Sequence, residues 1–297
     1  NDTAQELKRN GRDLVDLGAG EPRFREPRSV RAAGKEAIED GYTDYTEVGG
    51  NPNLKDAIIE RYEKVFGINT SELAAMATVG AKSALFEIAQ LLYEEDDEVI
   101  IPRPYWVSYS AQVKLAGGNP VFVSGDPDNH YLPTAEDIES KITPATKGIL
   151  INSPGNPSGG VYREEESKAI VSVARDHDLF LVSDECYDGF VYEQDRFWTL
   201  GAGDYDKIFV VGSTSKNFSM TGWRLGFGVM PEELAEKIGY LLTHSVGCTA
   251  TFTQYAGIEA LEGPQEGVRK NMKELKEKRD LVVEGLNDID GVTCNTP

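Results

Sequence analysis

With 297 residues, 40% hydrophobic and 9% aromatic, the chain is long enough for roughly two domains or one large α/β domain. Its 50 acidic residues against 30 basic ones leave a net charge of −20, spread along the chain rather than gathered in a tail, which speaks against nucleic-acid binding. No apolar run approaches the length of a membrane span and the opening NDTAQELKRNGRD is too polar for a secretory leader, so a cytoplasmic protein without membrane contact is expected.

From residue 70 onward, short β-branched runs alternate with helical patterns. The first strand is expected at MATV (76–79). A helix over 80–93 follows, where Ala84, Leu85, Ile88, Leu91 and Leu92 recur at i, i+1, i+4, i+7 and i+8 on one face. Further strands are expected at EVII (98–101), PVFV (120–123), GILIN (148–152), LFLVSD (179–184) and KIFVVG (207–212). Residues 163–177 form a helix whose acidic first turn suits the helix dipole, and 264–290 form one long charged helix. Alternation of this kind implies an α/β fold around a mainly parallel sheet with helices on both faces.

Three cysteines, Cys186, Cys248 and Cys294, contain no CxxC pair and cannot all pair within one chain. His130, His177 and His244 are scattered, so no metal site is expected. The high acid content fits either an ordinary acidic cytosolic protein or adaptation to high salt, which screens self-repulsion; the second is favoured.

Ligands in such sheets sit at the carboxyl ends of the strands. There the chain supplies Gly80-Ala81-Lys82 opening a helix, PRPYW after residue 101, SPGNPSGG after residue 152, Asp184 followed by ECYDGF, and STSKNFSMTGWR after residue 212. Backbone N–H groups at a helix start favour an anion, and Ser213, Ser215 and Arg224 add hydroxyl and guanidinium donors. Taken singly these residues are ordinary: Gly80 a turn glycine, Trp106 a core tryptophan, Tyr187 a packing residue, Asn156 a turn asparagine. Together, a lysine (Lys216), an anion cradle, a flat residue (Trp106) and a carboxylate (Asp184) are the parts that pyridoxal 5′-phosphate requires. Cys186 has no base beside it and reads as a structural thiol.

The segments LGAGEPRF (17–24), GYTDYTEVGG (41–50), TVGAKSAL (78–85), PYWVSY (104–109), NSPGNPSGGVY (152–162), VSDECYDGF (182–190) and STSKNFSMTGWRLGF (213–227) together resemble the class I, fold-type I pyridoxal-phosphate aminotransferases, in particular the prokaryotic aspartate aminotransferase-like subgroup. The resemblance implies Lys216 as the Schiff-base lysine, Asp184 as partner of the pyridine nitrogen, and Tyr187 and Asn156 as partners of the phenolic oxygen. It implies Trp106 stacked on the ring, with Ser213, Ser215, Arg224 and the backbone of Gly80, Ala81 and Lys82 at the phosphate. Tyr45 would reach the phosphate of a neighbouring subunit, implying a homodimer with shared sites, and Gly20, Trp106 and Asn156 would border the substrate. The implied activity is ping-pong transfer of an amino group from an L-amino acid to a 2-oxo acid, with aspartate and 2-oxoglutarate or a broad range of substrates. A β-lyase on the same cofactor and a non-catalytic sensor are the alternatives.

The implied division is an N-terminal segment (1–26) belonging to a small domain, a large cofactor-binding domain (27–283), and the start of a C-terminal small domain (284–297). Relatives carry a carboxylate-gripping arginine further on, so the expectation is a fragment whose small domain is truncated.

Overall fold

Every strand expected from the apolar runs forms, and all of them belong to one seven-stranded sheet. The computed structural model describes residues 2–15, 18, 20–193 and 197–297. Three helices come first, α1 (Asp2–Arg9), α2 (Arg28–Glu39) and α3 (Pro52–Arg61). Then follow β1 (Leu73–Val79), α4 (Ala81–Leu92), β2 (Glu98–Arg103), α5 (Ser108–Leu115), β3 (Asn119–Ser124), α6 (Ala135–Glu139) and β4 (Thr146–Asn152). The remainder is α7 (Glu164–Asp176), β5 (Phe180–Asp184), β6 (Ile208–Ser213), β7 (Leu225–Pro231), α8 (Glu232–Ser245), α9 (Thr251–Glu262) and α10 (Glu266–Asn287).

The strand order is β1-β7-β6-β5-β4-β2-β3. Neighbours are parallel except β7, which runs antiparallel to both β1 and β6. The apolar runs do not reveal β7, because two of its seven residues are glycines. Their reason is contact: a Cβ on Gly226 would lie 2.1 Å from the backbone nitrogen of Ala81, where α4 begins. Glycine therefore lets β7 lie directly against the start of that helix.

Alternate residues of each central strand enter different cores, as a period-2 chain buried on both faces must. Ile100, Ile149, Ile151, Leu181 and Val210 pack with Leu54 and Ile58 of α3 and Ile170 of α7. Val99, Ile101, Leu150, Val182, Phe209 and Val211 pack with Leu85 and Ile88 of α4, Val113 of α5 and Ile238 of α8. A smaller cluster joins Val30 of α2 to Phe218, Met220 and Ala256. Among the described residues, no helix is long and apolar enough to cross a membrane.

This arrangement positions the site. Asn152 pairs with Asp184, Asp184 with Val211, Ser213 with Gly226 and Val79 with Leu225. The carboxyl ends of β1, β4, β5 and β6 therefore finish along one edge of the sheet.

Candidate functional site

β6 ends in a hydroxyl-rich turn that is tied to β7. Ser213 Oγ lies 2.9 Å from Ser215 Oγ and 3.1 Å from the carbonyl of Leu225, and it accepts the Ser215 N–H at 3.0 Å. Thr214 Oγ1 donates to the same Leu225 carbonyl at 3.1 Å. The turn delivers Lys216, whose Nζ donates to the carbonyl of Gly20 at 2.5 Å and lies 5.7 Å from the centroid of the Tyr187 ring. Partial burial pulls the Lys216 amine below its usual pKa and the Arg224 charge adds to this, while Cys186, Glu21 and Asp184 pull the other way. A lysine with a lowered pKa is a better nucleophile and base near neutrality.

Asp184 ends β5, 4% exposed. Its Oδ2 accepts from the Tyr109 hydroxyl at 2.7 Å and its Oδ1 from the Cys186 N–H at 3.1 Å. Burial raises its pKa, and the bonds from Tyr109 and Cys186 together with the Lys216 charge resist that rise. In the loop that follows, Tyr187 accepts from Asn156 Nδ2 at 3.4 Å, and burial followed by the Asp184 charge pushes its phenol up to about 12. Asn156 is itself set by its backbone N–H, which donates to Asn152 Oδ1 at the end of β4. Trp106 meets Tyr109 edge to face, with centroids 5.4 Å apart and planes at 82°, and the Lys82 ammonium lies 4.8 Å over the indole.

The third component lies where α4 begins. Gly80 caps α4 at φ +74°, and a Cβ there would come within 2.5 Å of Arg224 Nη2, so the guanidinium lies directly against the glycine. Arg224 adopts a left-handed backbone (φ 56°), and its Nη1 donates to the carbonyl of Thr221 at 2.8 Å. Ala81 and Lys82 occupy the first helical positions, where N–H groups have no partner within the helix. N–H groups, two hydroxyls and a guanidinium converge where a dianion would be favoured.

The fold thus gathers Gly80, Ala81, Lys82, Trp106, Asn156, Asp184, Tyr187, Ser213, Ser215, Lys216 and Arg224 along one sheet edge, with Gly20 joined through its carbonyl. Tyr45 stands apart, 95% exposed. Sequence reasoning gives no role to Tyr109, although it follows Trp106 by three residues at the start of α5, a helical spacing that brings two rings together. It also gives none to Asp188 or Asn217, neighbours of Tyr187 and Lys216. Among the described residues, no group of three or more His, Cys, Asp or Glu side chains is placed to hold a metal ion.

Residues 12–297 match the family model for aminotransferase class I and II. The chain is 40% identical over 297 residues to an aspartate aminotransferase of Geobacillus stearothermophilus, covering 99% of this chain and 76% of that protein. It is 40% identical to an aspartate/prephenate aminotransferase of Cereibacter sphaeroides, covering 99% of this chain and 74% of that one. The crystal structure of an aspartate aminotransferase from Rhizobium meliloti superposes with a TM-score of 0.94 at 37% identity, covering all of this chain and 75% of that one. A Thermus thermophilus aspartate aminotransferase solved with maleate superposes with a TM-score of 0.91 at 38% identity, covering 97% of this chain and 76% of that one. The chain thus spans about three-quarters of the length of these relatives.

Proposed function

This chain belongs to the class I and II aminotransferases, and from that membership we propose that Lys216 is its catalytic lysine and that aspartate, with 2-oxoglutarate as acceptor, is its principal substrate pair. Transfer of an amino group between an amino acid and a 2-oxo acid with pyridoxal 5′-phosphate is the chemistry of the family. The aspartate preference draws on the names of the relatives and on the dicarboxylate maleate in the Thermus structure.

The residues present fit the cofactor. Gly80 leaves room where a Cβ would collide with Arg224, the donor set beside it suits a phosphate dianion, and a buried carboxyl stands at the neighbouring strand end. When bound, pyridoxal 5′-phosphate supplies an electron sink for the bonds at the substrate α-carbon. Asp184 would keep a proton on the ring nitrogen, because a buried anion and a cation stabilise each other. Tyr187 and Asn156 would donate to the phenolic oxygen, and Trp106 would cover one ring face and exclude water from it. Ser213, Ser215, Arg224 and the N–H groups at the start of α4 would bind the phosphate. Lys216 Nζ would hold the cofactor and, once freed by a substrate amine, would be the base that takes the substrate α-proton.

The observation that carries this reading is the setting of the Lys216 amine: lowered in pKa, beside the Gly20 carbonyl and the Tyr187 ring, and one strand away from Asp184. Borohydride reduction of the reconstituted protein followed by peptide mapping should place the cofactor on Lys216. Lys216→Ala should bind cofactor without covalent attachment and fail to turn over. Multiple turnover by that variant would overturn the assignment.

Three further parts belong to the same reading. The exposure of Tyr45 supports a homodimer in which it reaches a neighbouring subunit. Residues 27–283 would form the cofactor-binding domain, with 1–26 and 284–297 in a smaller unit; the residues of the buried clusters, from Val30 to Ala260, all fall within 27–283. The excess of 50 acidic over 30 basic residues supports adaptation to high salt.

A further inference from the structure

Asp188 lies one residue beyond Tyr187, and Asn217 one residue beyond Lys216. The two meet: Asn217 Nδ2 donates to Asp188 Oδ1. The other oxygen, Oδ2, accepts from Arg61 Nη2 at 2.6 Å, and Arg61 is the last residue of α3. One carboxylate therefore joins three segments that are distant in sequence, namely α3, the loop after β5 and the turn after β6.

The junction is largely shielded from water, with the side chains of Arg61 and Asp188 16% and 11% exposed and Asn217 4% exposed as a residue. Burial works against the Arg61 charge, and Asp188 more than offsets that effect, so the guanidinium is held firmly protonated. The same guanidinium lies 5.3 Å from the centroid of Phe66. Gly189 makes room for the amide, since a Cβ there would come 2.7 Å from Asn217 Oδ1. Asn217 Oδ1 is buried without a hydrogen-bond partner, so the donation to Asp188 is what orients this side chain.

We propose that Asp188, anchored by Arg61, is a positioning residue that sets the Lys216 amine relative to the Tyr187 hydroxyl by holding Asn217. The inference rests on the reading of Lys216 as the cofactor-bearing lysine. Both residues must act on the same few atoms, and misplacement by about 1 Å in such a site costs on the order of 100-fold in rate. A carboxylate with a fixed counter-ion and a single amide donor suits this task, because charge-assisted bonds are shorter and more directional than neutral ones.

Asn217→Ala is the primary test, since it removes the donor without stranding a charge. In the reconstituted enzyme kcat should fall by about tenfold or more, with KM changed by less than about twofold. The pH midpoint of the bound cofactor's visible absorbance should move by about half a unit or more, because Tyr187 and the lysine linkage no longer keep their relation. Asp188→Ala should shift the midpoint in the same direction, and adding Asn217→Ala to it should bring no further loss, as expected for two groups acting through one contact. An unmoved midpoint in Asn217→Ala, even with a lowered melting temperature, overturns the clamp. Should Asp188→Ala fail to fold, Asn217→Ala decides alone. Peptide mapping of the unsubstituted enzyme separates the two ideas: cofactor found away from Lys216 overturns both, whereas cofactor on Lys216 with an unmoved midpoint in the variant overturns only the clamp.

Discussion

The hydroxyl of Tyr109 donates to Oδ2 of Asp184 across 2.7 Å, with both side chains buried. Burial and the adjacent carboxylate hold the phenol well above its usual pKa, so it stays a neutral donor. The bond favours the ionised form of Asp184, and its contribution is present once that carboxyl has ionised and lost in acid. Tyr109→Phe should therefore destabilise the cofactor-free protein by about 1.5–3 kcal/mol at alkaline pH, the range for a hydrogen bond to a charged group, and by clearly less at acid pH. Urea unfolding at the two pH values checks this; an equal loss at both would mean that Asp184 is not the ionised partner.

Glu185, one residue further on, faces away from that pair. Its Oε1 accepts from Ser183 Oγ, Thr199 Oγ1 and the Leu200 N–H, whereas Oε2 is buried without a partner. Burial, with a smaller push from Asp188 and against those three bonds, moves its pKa up to about 8. A carboxyl with a raised folded-state pKa binds its proton more tightly folded than unfolded. Its contribution is complete below the unfolded value and is lost as pH rises from there through about 8. Glu185→Gln mimics the protonated group. The variant should lack this decline, which amounts to about 1.4 kcal/mol per pH unit at its steepest. Melting curves of both forms between pH 5 and pH 9 (roughly the window this linkage spans) should converge in acid and separate in base, with the variant the more stable.

Three glycines near the cradle should respond differently to alanine. Gly80→Ala puts a side chain at φ +74° and pushes on the movable end of Arg224. It should cost about 1–3 kcal/mol of stability and weaken cofactor phosphate binding by about tenfold. Gly226→Ala meets the backbone of Ala81 at 2.1 Å, which can yield only if β7 and α4 separate, so a loss above about 4 kcal/mol or failure to fold is expected. Gly222→Ala, with nothing within 4 Å, should stay within about 0.5 kcal/mol. Chemical denaturation and cofactor titration of the three variants check the order.

The net charge of −20 should make stability depend on salt. Self-repulsion reaches about 30 Å at 0.01 M and only about 3 Å at 1 M ionic strength. The melting temperature should rise steadily with potassium chloride across that range. Full stability in dilute buffer would show that the acidic surface is not an adaptation to salt.

Much of the scaffold is legible in the sequence. Six strands stand out because a sheet covered on both faces requires runs such as Ile149-Leu150-Ile151, whose alternate side chains fill two separate cores. α4 and α7 announce themselves through apolar spacing and, in α7, an acidic first turn. β7 escapes, since Gly226 and Gly228 belong to a strand only because of what packs against them.

The one-dimensional chain determined which residues end each strand and therefore which chemical groups reach the sheet edge, because hydrophobic periodicity is a local property. Tertiary structure alone decided who meets whom. Lys216 and Gly20 are 196 residues apart, Arg61 and Asp188 are 127 apart, and Tyr109 and Asp184 are 75 apart. No spacing rule connects such pairs; their contacts exist only once burial of both sheet faces has fixed the order of the strands and the helices that cross between them.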